Sequence, residues 1–137
     1  MINPLKKYKT LNSAYKVLNF EVSFPNRYQL KEIYVISDTI LELRFASIIA
    51  RKTKYTSDNL NGAGISGVYP GAYPNDCIKE QFETNEIVGY ELWNASAKNP
   101  KVYLAVWDDK KHNFSYSVYA SKGIELKTIA KWQKMFK

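Results

Sequence analysis

From Gln29 onward the chain repeats one local pattern: short segments rich in β-branched and aromatic residues, each bounded by turn-forming residues. Leu30, Ile33, Tyr34, Val35 and Ile36 form one such run. Leu41, Leu43 and Phe45 alternate with Glu42 and Arg44 in the next, and Ile48-Ile49-Ala50 gives a third. Four more follow, at Ile78 to Thr84, Ile87 to Asn94, Val102 to Trp107 and Phe114 to Ala120. Successive side chains of a strand point to opposite faces, so segments of this kind bury their apolar residues only by joining a sheet. The connections at Ser37-Asp38, Asn85-Glu86, Ala97 to Pro100 and Asp108 to Asn113 are short enough for antiparallel hairpins. Val102 to Trp107 is apolar on both faces, which predicts a central strand covered on both sides. In Phe114-Ser115-Tyr116-Ser117-Val118 the alternation places the serines toward water, and in the second run it does the same for Glu42 and Arg44. Arg51, Lys52 and Lys54 are expected to bring the chain back to the surface.

Helical spacing marks the two ends. Leu11, Ala14, Tyr15 and Leu18 recur at the period of one helix face, with Asn12 or Ser13 as the expected N-cap. Near the C-terminus, Ile124 to Phe136 reads as a second helix, with Leu126, Ile129, Ala130, Trp132 and Phe136 on one broad arc and Lys127, Lys131 and Lys134 on the other side. Between the first helix and the strands, Phe20, Val22 and Phe24 alternate in an extended stretch closed by Pro25-Asn26. The fold class that follows is α+β: a curved antiparallel sheet of about six to seven meander strands, with a short N-terminal helix and a C-terminal helix packed on one face. At 137 residues the chain fits a single domain spanning 1–137, with 1–9 disordered or close to a tether.

Composition narrows the function classes. A hydrophobic fraction of 45% with 15% aromatics implies a packed core. The net charge of +7 is uneven: residues 1–31 carry six Lys/Arg against Glu21, and residues 101–137 carry eight against three acids. Basic ends of this kind permit attraction to anionic partners. One Cys77 and one His112 cannot supply a zinc site of ordinary composition, so neither a metal nor any other cofactor is expected. Catalysis by a Ser-His-Asp or Cys-His arrangement requires His112 as base, and its place in the polar turn Asp108 to Asn113 offers nothing to orient it. Glu80, Glu83, Glu86 and Glu91 are the acids available for a glycosidase pair, but they alternate with apolar neighbours as solvated strand positions do. The glycines of Asn61 to Gly67 lack the Lys-Ser/Thr that a phosphate-binding loop needs. No enzyme is expected.

Residues 55–77 break the strand pattern with Asn59, Asn61, Gly62, Gly64, Gly67, Pro70, Gly71, Pro74 and Asn75. A loop of that length in a small domain is uncommon and tends to be functional or mobile. Within it, Ser66, Tyr69 and Tyr73 are the candidate ligand-binding residues, because two tyrosines on a Gly/Pro-stiffened loop are able to stack on a sugar ring or grip an extended peptide. The competing role for both rings is to pin the loop to the sheet.

Several segments in order resemble the bacterial domain-of-unknown-function family 4367, seen in extracytoplasmic proteins and lipoproteins of Gram-positive bacteria. They are Leu11-Asn12-Ser13-Ala14-Tyr15 before Phe20 to Pro25, then Tyr34 to Leu43, Ile65 to Tyr69, Leu104 to Trp107 and Phe114 to Val118. The resemblance spans nearly the whole chain; Lys52 to Asp58 departs from it. It implies a curved antiparallel sheet with a terminal helix, displayed outside the cytoplasmic membrane by a lipid or membrane tether preceding this chain, and it carries no catalytic residue. The expected partner is therefore a cell-envelope ligand or protein. The alternative is a cytoplasmic nucleic-acid-associated protein using the basic ends, although no RNP-type motif is present.

Overall fold

A computed structural model describes residues 4–55, 78–82, 90–94 and 101–137. For 78–82 and 90–94 the description is limited to backbone pairing. The expected architecture is present: an α+β fold in which an antiparallel sheet carries a short N-terminal helix and a C-terminal helix. The strands are β1 (Leu5–Tyr8), β2 (Glu32–Ile36), β3 (Ile40–Arg44), β4 (Ile48–Lys54), β5 (Ile78–Phe82), β6 (Tyr90–Asn94), β7 (Lys101–Asp109) and β8 (Phe114–Glu125). The helices are α1 (Leu11–Leu18) and α2 (Leu126–Met135).

The sheet has eight strands in the order β1-β2-β3-β4-β8-β7-β6-β5. Two four-stranded meanders, β1 to β4 and β5 to β8, therefore meet where β4 pairs with β8, from Ile48↔Ala120 to Lys54↔Phe114. The strand beyond the expected six to seven is β1, at the edge of the first meander. Lys6 and Lys7 lie between its half-buried ends Leu5 and Tyr8, so its four residues carry little apolar alternation. Backbone pairing from Leu5↔Ile36 to Tyr8↔Ile33 orders these four residues, within the 1–9 stretch expected to be disordered or close to a tether.

Local chemistry sets the element ends. Thr10, rather than Asn12 or Ser13, caps α1: the Ser13 backbone N–H donates to Thr10 Oγ1 at 3.2 Å. Asn19 closes the helix in the left-handed conformation, its N–H donating to the Tyr15 carbonyl at 2.8 Å. Ser37 and Asp38 turn β2 into β3 with φ of 52° and 59°, the two left-handed residues that a tight hairpin with native twist requires. α2 begins at Leu126 because β8 runs on to Glu125, which pairs with Lys101 and occupies the N-cap position without a side-chain hydrogen bond. Gly123 makes that extension possible, since at its φ of +74° a Cβ would lie 2.9 Å from Lys101 Cβ.

Both helices pack on one face of the sheet. Ala14 and Leu18 of α1 and Ile129, Trp132 and Phe136 at α2 share one apolar cluster with Val35, Leu41, Leu43, Ala50, Ala105, Trp107, Tyr116 and Val118. Leu126 and Ala130, expected in the buried arc, are exposed, whereas Lys127, Lys131 and Lys134 face solvent as expected. The stretch Phe20 to Phe24 joins no strand. It is held by the C-terminus: the Ser23 N–H donates to the Lys137 carbonyl at 3.1 Å and the Lys137 N–H returns to Ser23 at 3.2 Å.

The other face of the central strands is also buried. Leu104 and Val106 are covered along with Ala105 and Trp107, in line with the two apolar faces of β7. Ser115 and Ser117 do not face water; they are 0% and 2% exposed, and the Ser115 hydroxyl donates to Asp108 Oδ1 at 2.7 Å. Polar alternation marks the face of a strand but does not decide whether that face is wet.

Candidate functional site

The candidate ligand-binding residues Ser66, Tyr69 and Tyr73 lie outside the described residues, as do Glu83 and Glu86. Glu80 and Glu91 are not cross-strand partners, since Glu80 pairs with Leu92 and Glu91 with Gln81. The described residues instead present two polar arrangements, one on each face of the sheet at β4.

The first lies on the sheet face opposite the helices. Glu42 of β3 is 1% exposed, although the sequence places it toward water. Its burial is made tolerable by two cations: Arg44 Nε donates to Oε2 at 2.7 Å, and Arg51 donates to Oε1 through Nε at 2.8 Å and Nη2 at 2.7 Å. The Glu42↔Arg51 register of β3 and β4 sets the second contact, and the two-residue step along β3 sets the first. Arg44 then lies over the Tyr34 ring, 4.2 Å from its centroid. The Tyr34 hydroxyl donates to Glu32 Oε2 at 2.7 Å, and Lys7 Nζ approaches the same oxygen at 3.2 Å. These two contacts, the hydroxyl first, hold the Glu32 carboxyl below the usual carboxylate range. The pKa of Arg44 is raised: burial disfavours its charge, but the hydrogen bond and charge of Glu42 outweigh that cost.

Beside this row is a cleft of about 330 Å³, lined by Lys31, Glu32, Arg44, Ser47, Tyr119 and Ser121 among others. Its floor is the β3–β4 turn, closed by the Phe45 N–H donating to the Ile48 carbonyl at 2.8 Å, and its side is the end of β8, where the Ser121 N–H donates to Ser47 at 3.0 Å. The β4–β8 junction brings together residues far apart in sequence, so spacing gave no sign of this cleft.

The second arrangement sits on the helix-side face of the sheet. Lys52, expected at the surface, is 4% exposed and shares the helix-side face with Leu41 and Tyr116, its cross-strand neighbours. Its Nζ donates to the Glu21 carbonyl at 2.7 Å. The rings of Phe114, Phe20 and Tyr116 surround it at 4.1, 5.2 and 5.8 Å. Burial pushes the ammonium down to about 8, against the attraction of Asp109 and Glu21. The Tyr116 hydroxyl is pushed up, by burial first and then by the charge of Asp109.

Asp109 is also what orients His112, contrary to the expectation that the turn offers nothing to do so. Its Oδ2 lies 2.8 Å from His112 Nδ1, and its Oδ1 accepts the His112 backbone N–H at 3.3 Å. An Asp-x-x-His sequence in a hairpin turn is the available signal for such a pair. Among the described residues, the hydrogen bonds of His112 are the two to Asp109.

Among the described residues no group of three or more His, Cys, Asp or Glu side chains is placed to hold a metal ion, and no helix is long and apolar enough to cross a membrane. No protein-family model, curated protein or solved structure matches this chain.

Proposed function

We propose that this chain is a non-catalytic extracytoplasmic module, a lipoprotein or membrane-tethered domain in its native setting, that binds a cell-envelope ligand or partner protein. The observation that carries this reading is the fixed row of Tyr34, Arg44, Glu42 and Arg51 bordering the cleft at the β3–β4 turn. Side chains locked by their neighbours lose little rotational freedom when a ligand arrives, which is the usual economy of a binding surface. The resemblance to family 4367 supports the envelope setting, and Ser66, Tyr69 and Tyr73 belong to the same proposal as further ligand contacts.

The test is co-sedimentation of the purified protein with isolated Gram-positive cell-wall sacculi, run in parallel with duplex DNA over a salt series. Retention by sacculi at physiological salt is expected. Binding to DNA alone, falling steeply with salt and with replacement of the exposed Lys127, Lys131 and Lys134, would put the cytoplasmic nucleic-acid reading in its place.

A further inference from the structure

We propose that the cleft at the β3–β4 turn is an oxyanion site, taking a carboxylate or phosphate group of the ligand on Arg44, Lys31 and the backbone N–H groups of Ala46 and Ser47. This rests on the binding-module reading and names the chemistry of its ligand.

Arg44 supplies the first element. Its Nε is engaged by Glu42 and its plane is set by the Tyr34 ring, so the orientation of the guanidinium is fixed before any ligand arrives. Its two terminal nitrogens have no partner among the described residues, and the side chain is 34% exposed at the cleft wall. A planar fork with one edge held and the other free matches the two oxygens of a carboxylate or phosphate.

The turn supplies the second element. Ala46 and Ser47 line the cleft, and neither backbone N–H finds an acceptor among the described residues, while the Ser47 carbonyl is engaged by Ser121. Free N–H groups at a tight turn attract an anion through their dipoles. Lys31, exposed and in no ion pair among the described residues, adds mobile positive charge at the rim.

The charge balance points the same way. Around the cleft and the row beside it, Lys7, Lys31, Arg44 and Arg51 stand against Glu32 and Glu42, an excess of positive charge. Glu32 also lines the cleft, but its carboxylate is already engaged by the Tyr34 hydroxyl and Lys7. Its charge confines an incoming oxyanion to the side of Lys31 and the turn. The volume, about 330 Å³, is at the small end for ligand sites, which suits the anionic terminus of a larger ligand.

The experiment is an NMR titration of the isotope-labelled protein with three probes: N-acetyl-alanyl-alanine, its C-terminal amide, and glycerol phosphate. The expected result is saturable shifts of the Ala46 and Ser47 amides and of the Arg44 Nε–H with at least one anionic probe, and none with the amide. Response to the dipeptide alone identifies a peptide terminus as the source of the oxyanion; response to glycerol phosphate alone identifies a polymer phosphate. Arg44→Gln weakens binding about tenfold, the worth of one charge-assisted fork. Because that change also frees Glu42, Lys31→Ala at an exposed position is the second variant, weakening binding about threefold with the fold unchanged. Shifts confined to the α2 lysines, or full affinity in both variants, overturn the inference. Retention by sacculi without any oxyanion response sinks the oxyanion site alone, whereas oxyanion binding without retention by sacculi sinks the envelope reading alone.

Discussion

The ammonium of Lys52 donates to the carbonyl oxygen of Glu21 at 2.7 Å, tying the irregular stretch after α1 to the centre of the sheet. Its folded pKa, about 8, lies below the ordinary 10.5 of a lysine in the unfolded chain. Between those values the unfolded chain holds a proton that the folded chain has released, so stability rises with pH from about 8 toward 10. Below pH 8 the cost of the buried charge is fully present. The slope approaches about 1.4 kcal/mol per pH unit for one proton. Tyr116 acts in the opposite sense at higher pH, because its folded pKa is raised and the unfolded chain loses that proton first. Denaturant unfolding across pH 7 to 10 checks this: wild type gains stability, and Lys52→Met, which keeps the apolar stem, loses the slope. An unchanged slope in the variant assigns the rise to another group.

Lys52 also illustrates which parts of this protein are legible in its sequence. The strands β2 to β8 follow from short β-branched and aromatic runs, some of them alternating, and both helices from their apolar faces, because these signals are local. Lys52, Glu42, Ser115 and Ser117 read as surface positions by the same rule and are buried. Three of them meet a partner on another strand or segment: Glu21 for Lys52, Arg51 for Glu42, Asp108 for Ser115. Such partners depend on register and on the β4–β8 junction, and a single sequence encodes neither in its local pattern. The cleft was hidden for the same reason, since Lys31, Ser47 and Ser121 come together only after that junction forms. β1 escaped notice because two lysines interrupt its apolar positions.

Glu42 carries the second prediction. Its carboxylate is shared by Arg44 and Arg51, and Glu42→Gln removes that charge from beside both guanidinium groups. Breaking a buried pair from one side costs about 3–5 kcal/mol, and the lower end applies because Arg44 and Arg51 keep 34% and 20% of their side-chain surface in water. Denaturant midpoints measure the loss, about 3 kcal/mol. If the carboxylate contributes only surface electrostatics, the loss stays below about 1 kcal/mol and disappears in high salt.

Trp132 supplies a contrast between shape and polarity. It is fully buried, and its ring meets Tyr28, Phe45 and Phe136 at centroid distances of 5.1, 5.6 and 5.5 Å. Its indole N–H has no hydrogen-bond partner among the described residues. Trp132→Ala empties the centre of that aromatic cluster and costs about 3–5 kcal/mol. Trp132→Phe keeps most of the packing and removes an unsatisfied donor, so the two effects oppose each other and the net cost stays under about 2 kcal/mol. Equal losses in the two variants would show that the indole N–H stabilises the fold.

Asp109 links the turn at His112 to the interior. Its charge supports the Lys52 ammonium and disfavours ionisation of the Tyr116 hydroxyl, and its two oxygens hold the His112 ring and backbone. Asp109→Asn keeps a carboxamide of nearly the same shape but removes the charge. The Lys52 pKa then falls further below 8, and the alkaline gain in stability begins at a lower pH than in wild type. The raised pKa of Tyr116 comes down by the contribution that Asp109 made, while the part due to burial remains. Unfolding across pH 6 to 10, with tyrosinate absorbance followed in the folded protein, measures both shifts in one variant. Movement of the lysine-linked midpoint with an unmoved Tyr116 would place the carboxylate nearer to Lys52 in effect than to the phenol. No movement of either would mean that burial alone sets both values and that Asp109 serves only the turn.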